Sequence, residues 1–138
     1  MRQLRVLVPL DESDASVQAL QVLENLAAGA HSCAVELLHV VPPGNDAAER
    51  QAHARDFLAK QAAALNLANL ETTLRVFEGD ASEIILQRAC EEHFDFICMS
   101  TRSSTVGDQP GSVAARIMRE STVPVVVFPT TSAIQRAA

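Results

Sequence analysis

Unbroken aliphatic runs alternate along this chain with segments whose apolar positions recur every three or four residues. Leu4 to Leu10 is the first run, ending at Asp11, and without polar alternation it predicts a strand covered on both faces. Ser13 can cap the helix that follows, with Val17, Leu20, Leu23 and Ala27 on one side until Gly29 stops it. Ala34 to Val41 repeats the buried-strand pattern, and Pro42, Pro43 and Gly44 end it, since proline has no N–H for a ladder. From Asp46 to Asn66 an alanine-rich helix carries Ala54, Leu58, Ala62 and Leu65 on one stripe. Leu70 to Phe77 alternates more openly and predicts a strand at a sheet edge, closed by Gly79. Asp80 and Glu83 have the spacing of a capping box for a third helix reaching about His93. Phe94 to Met99 is a short apolar run around Asp95, and Ser100 to Pro110 is a polar loop. Ser112 to Glu120 has Val113, Ile117 and Met118 at helical spacing, and Val123 to Phe128 is the last strand, with Pro124 near its start.

Four helices alternating with five strands predict a single doubly wound α/β domain, since right-handed crossovers make the sheet parallel and cover both its faces. Its expected span is residues 1–129, with 130–138 a frayed tail. In such sheets ligands lie beyond the carboxyl ends of the strands, where the strand order switches. Here that rim holds Asp11 to Ser13, Val41 to Gly44 and Ser100 to Ser112.

Composition narrows the function classes. With 138 residues, 48% hydrophobic and 20% charged, the chain is long enough for its own core. A net charge of −6 offers no broad counterion-releasing surface, so no nucleic-acid partner is expected. No apolar run approaches the ~20 residues that span a bilayer, and the start of the chain, interrupted by Arg5 and Pro9, does not read as an export signal. Cys33, Cys90 and Cys98 are odd in number and lack C-x-x-C spacing, which predicts buried, reduced thiols in a cytoplasmic protein.

Several segments resemble the universal stress protein family. Val6-Leu7-Val8-Pro9-Leu10-Asp11-Glu12-Ser13 is similar to its first strand and turn, and Leu38-His39-Val40-Val41 to its second strand. Gly79 to Ile85 resembles the start of its third helix; Gly111 to Arg119 and Val123 to Val127 resemble its last helix and strand. The resemblance implies a Rossmann-like domain in a cytoplasmic stress-response protein, a homodimer paired through the last strand: Val123, Val125, Val126, Val127 and Phe128. It also implies a nucleotide site matching Pro9, Leu10, Asp11, Val41, Met99, Ser100, Arg102, Ser103, Gly111, Ser112 and Val113, with ATP and magnesium or manganese as the ligand set of the binding members.

The phosphate loop departs from the family's G-x-x-G-x9-G-[S/T]. Ser100 and Ser103 stand where the first two glycines belong, and seven residues in place of nine separate Ser103 from Gly111. Serine lacks the freedom that brings backbone N–H groups against phosphate, and Asp108 adds a carboxylate, while Arg102 supplies a guanidinium suited to phosphate. Weak or absent nucleotide binding is the expectation; an ATP-dependent switch or slow ATPase is the alternative. Asp11 can serve a ribose, a metal or a water, or stabilise a helix dipole; Gly111 and Ser112 can hold an anion or cap a helix. His39, without a neighbouring cluster, reads as a satisfied structural residue, and no histidine spacing suggests zinc. No G-x-S-x-G elbow, Walker lysine or G-x-G-x-x-G follows the first strand, so dedicated catalysis is not indicated and the output is expected to be partner binding.

Overall fold

Five parallel strands form one sheet in the order β3-β2-β1-β4-β5. They are β1 (Leu4–Pro9), β2 (Cys33–Val41), β3 (Leu70–Glu78), β4 (Phe96–Ser100) and β5 (Val125–Phe128). The computed structural model describes residues 3–11, 20, 21, 23–25, 32–65, 70–100 and 112–128. The helices are α1 (Ala47–Ala64), α2 (Ala81–Glu91) and α3 (Ser112–Glu120); residues 20, 21 and 23–25 are also helical and stand in the place of the first predicted helix. The doubly wound α/β expectation therefore holds, including β3 and β5 at the two edges.

Central strands buried on both sides explain the unbroken aliphatic runs. Val6 and Val8 point into one core cluster with Leu20, Leu23, Val35, Leu37 and Leu58, while Leu7 between them points into another with Leu38, Ile85, Ile97 and Ile117. The predicted α1 stripe is real: Ala54 and Leu58 are buried, and Ala62 and Leu65 pack beside them.

Element boundaries differ from the sequence reading where polar side chains substitute for ladder bonds. Asp95 does not continue the strand before β4: its carboxylate accepts the Arg5 N–H at 2.8 Å and its own N–H donates to the Arg5 carbonyl at 2.8 Å, so β4 starts at Phe96. Val123 is not in β5. The Ser121 hydroxyl donates to the Val123 carbonyl at 2.6 Å and accepts the Val123 N–H at 3.0 Å, a local turn that delays the strand to Val125. Helix α2 ends two residues before His93, which takes φ 55° and lets the Phe94 N–H reach the Ala89 carbonyl, a left-handed cap without glycine. Cys33 and Cys98 are buried as expected, but Cys90 is exposed. The predicted cap Ser13 and the tail from 130 onward lie outside the described residues.

Candidate functional site at the carboxyl ends of β1 and β4

The switch in strand order falls between β1 and β4. Their paired register covers only Val6↔Phe96 and Leu7↔Ile97, whereas β1 stays paired to β2 as far as Pro9↔Leu38 and β4 to β5 as far as Ser100↔Phe128. Beyond Leu7 and Ile97 the β1–β4 register stops, and in sheets of this topology ligands bind outside the carboxyl ends at such a switch in strand order. Pro9 suits that position because it has no N–H to leave unpaired.

Leu10 continues the line of β1 by two bonds. Its N–H donates to the Leu38 carbonyl at 2.7 Å, and His39 Nδ1 lies 2.6 Å from its carbonyl oxygen. His39 also meets Phe57 edge-on, with ring centroids 6.4 Å apart. His39 is thus satisfied by backbone and ring, as its isolation in the sequence suggests, and it fixes the turn that carries Asp11. Leu10, Val41 and Met99 are buried at the ends of adjacent strands, with Pro9, Asp11 and Ser100 partly exposed beside them. Val113, in the first turn of α3, packs against the second core cluster. The structure therefore gathers Pro9, Leu10, Asp11, Val41, Met99 and Ser100 on one rim. Arg102, Ser103, Gly111 and the Ser112 side chain lie outside the described residues.

Cys98, in β4 beneath this rim, is not a nucleophile at neutral pH: burial pushes its thiol up to about 12. Burial, and then the Asp95 carboxylate, also raise Cys33. No group of three metal-ligating side chains occurs among the described residues, and no described helix is long and apolar enough to cross a membrane.

Two polar clusters gain partners that sequence spacing does not show. At the start of α2, the Asp80 carboxylate accepts the Glu83 N–H at 3.0 Å and the Ser82 hydroxyl at 2.8 Å, and Arg116 of α3 donates to that hydroxyl at 2.9 Å. The capping N–H, then the Ser82 hydroxyl, hold the Asp80 carboxyl below its ordinary value. The other cluster centres on Glu36, buried in β2 amid aliphatic neighbours. Both its oxygens accept from Arg88, at 2.6 and 3.1 Å, while Arg75 of β3 stands 3.7 Å away. One charged residue inside an aliphatic run was the available signal, but its partner lies 52 residues away.

Comparison with known proteins fits this arrangement. The profile of the Universal stress protein family matches residues 4–129, and the chain belongs to that family. Among solved structures, the hypothetical protein MJ0577 superposes with TM-score 0.82 at 20% identity, covering 95% of this chain and 99% of that one. A universal stress protein in complex with cAMP gives 0.69 at 20%, covering 93% and 98%. A universal stress protein family protein from Arabidopsis thaliana with AMP bound gives 0.69 at 16%, covering 95% and 94%. No curated protein matches the sequence.

Proposed function

We propose that this chain is a homodimeric, cytoplasmic regulatory or interaction module of the stress response, whose output is partner binding and whose crevice holds nucleotide weakly or not at all. The observation that carries the weak-binding reading is the backbone at Ser100. Where the family's loop begins with glycine, this chain continues β4 with a serine paired to Phe128. Ser100 still runs as extended strand, and as a serine it lacks the conformational freedom by which a glycine at this position brings successive N–H groups against phosphate. Asp11 and the strand ends supply a ribose and base side of a site; the phosphate side depends on Arg102, Ser103, Gly111 and Ser112.

The two solved structures that hold cAMP and AMP favour the second reading, an ATP-dependent switch or slow ATPase. On that reading Arg102 and the Ser100 and Ser103 hydroxyls replace contacts that glycine N–H groups make, and Arg102→Ala weakens binding.

Titration calorimetry with ATP and magnesium or manganese separates the two. The proposal expects a dissociation constant above about 100 µM, under ~6 kcal/mol of binding free energy. Low-micromolar affinity, lost in Arg102→Ala, supports the switch instead.

A further inference from the structure

The edge of the sheet opposite β5 carries a second surface with its own chemistry. The Gly79 N–H donates to the Val41 carbonyl at 2.9 Å, and the β2–β3 register runs from Cys33↔Leu70 to Val41↔Glu78. By the alternation of a parallel ladder, Glu71, Thr73, Arg75 and Phe77 turn their backbone groups to β2, and Leu70, Thr72, Leu74, Val76 and Glu78 turn theirs outward. No described strand pairs with that outer side. A groove of about 420 Å³ runs along it, lined by Arg55, Leu74, Arg75, Val76, Phe77 and Arg88.

Its three arginines approach from both faces of the sheet. Arg55 comes from α1, which packs over β2 and β3 on the side of Leu74 and Val76; Arg75 and Arg88 lie on the other side with Phe77. Their charges are unequally spent. Arg88 is held by both Glu36 oxygens, reaches Glu92 at 3.5 Å and stacks over Phe77 at 5.4 Å. Arg75 stands 3.7 Å from Glu36 with its side chain 53% exposed, and Arg55 is exposed with no ion pair to a described residue. Exposed Glu71 and Glu78 flank this basic centre. On a chain of net charge −6, a groove lined by three arginines and no carboxylate, beside the outward backbone groups of β3, is selective for one kind of guest.

We propose that the β3 edge accepts an extended segment of a partner protein as an added strand, and that two consecutive acidic residues at the segment's centre specify it. Backbone pairing supplies strand addition. Successive side chains of a strand point to opposite faces, so one carboxylate of an acidic pair reaches Arg55 and the next reaches Arg75. Glu71 and Glu78 repel acidic ends, which confines the negative charge to the middle. Charge on an edge also guards against promiscuous pairing, and here the same arginines that reject basic or neutral strands admit the acidic one. The inference rests on the partner-binding reading above, and it concerns an edge remote from the crevice, so its failure leaves the nucleotide measurement untouched.

The test is fluorescence anisotropy with a labelled nine-residue peptide of alternating threonine and valine carrying Glu-Glu at its centre. Controls are a Gln-Gln version and one N-methylated at alternate residues, which keeps the charges but cannot form the ladder. The acidic probe should bind at low salt, with a dissociation constant of about 100 µM, and the two control peptides should bind at least about tenfold more weakly. Arg55→Ser and Arg75→Ser should each weaken binding about fivefold. Since Arg75 also faces Glu36, Arg55→Ser on an exposed helix face is the variant free of that contact. Thr72→Pro removes one outward N–H without touching the β2 ladder, and should weaken binding while circular dichroism stays unchanged. Equal binding of the Gln-Gln or N-methylated probe, no binding at one millimolar peptide, or displacement by millimolar inorganic phosphate in Thr72→Pro and the parent alike would overturn it.

Discussion

Glu36 sets the largest single-residue stake in this molecule. A carboxylate buried in a central strand is tolerable because Arg88 gives it a two-pronged partner, and the guanidinium in turn covers the Phe77 ring. Removing Arg88 leaves the carboxylate with Arg75 alone, at 3.7 Å and half exposed. Arg88→Ala should therefore cost about 3 kcal/mol in urea denaturation, whereas Arg75→Ala should stay within ~0.5 kcal/mol. Replacing both members, Glu36→Leu with Arg88→Leu, should lose less than Arg88→Ala, because no uncompensated charge remains. A single Arg88→Ala as mild as Arg75→Ala would show that water already reaches Glu36.

At the scale of elements, the junction of β3 with α2 shows what was and was not legible. Gly79 has φ 147°, and a Cβ there would meet Ile84 Cδ1 at 2.9 Å, so the glycine expected to close β3 is required by both backbone and packing. Asp80 caps α2 as its spacing predicts. Its carboxyl is held low by the Glu83 N–H first, so it contributes stability above its ordinary 3.8 and loses it as the pH falls from 3.8 through the lower folded value. Asp80→Asn keeps a capping oxygen but not the charge. Its stability should lie below the parent at pH 7, and the two curves should converge as the pH drops below about 4, read by chemical denaturation at successive pH values. Curves that stay parallel would mean the charge does nothing.

Long, periodic elements were legible because burial imposes their pattern: the aliphatic runs are strands, and the α1 stripe is the face packed on the sheet. Boundaries set by a single polar side chain were not. Asp95 and Ser121 look like ordinary strand or loop residues until their partners, Arg5 and Val123, are known. The left-handed cap at His93 carries no glycine to announce it. The crevice was legible as a rim, since strand ends follow from topology, but His39 gains its role there from the Leu10 carbonyl, 29 positions away. Cys90, expected in the interior, is exposed because helix α2 presents it outward, while its neighbour Ala89 is buried.

The whole molecule has two different edges. On β5, Pro124 accepts the Ile97 N–H at 2.9 Å, so it and Val126 face β4, and the outward backbone groups belong to Val125 and Val127. Pairing that edge with its copy around a two-fold axis satisfies both chains equally and hides an apolar strand. Val127→Pro removes an outward N–H and spares the β4 ladder, so it should shift sedimentation from dimer to monomer at tens of micromolar, whereas a wild-type chain that sediments as a monomer there would contradict the interface. The β3 edge, charged and flanked by arginines, is free in that assembly for another guest.

One spectrum bears on the central claim most directly: native mass spectrometry of the freshly purified protein reads assembly and nucleotide content together. The account predicts a species at twice the 14.8 kDa chain mass with no added mass of a nucleotide. A species carrying one nucleotide per chain, retained through purification, would contradict it.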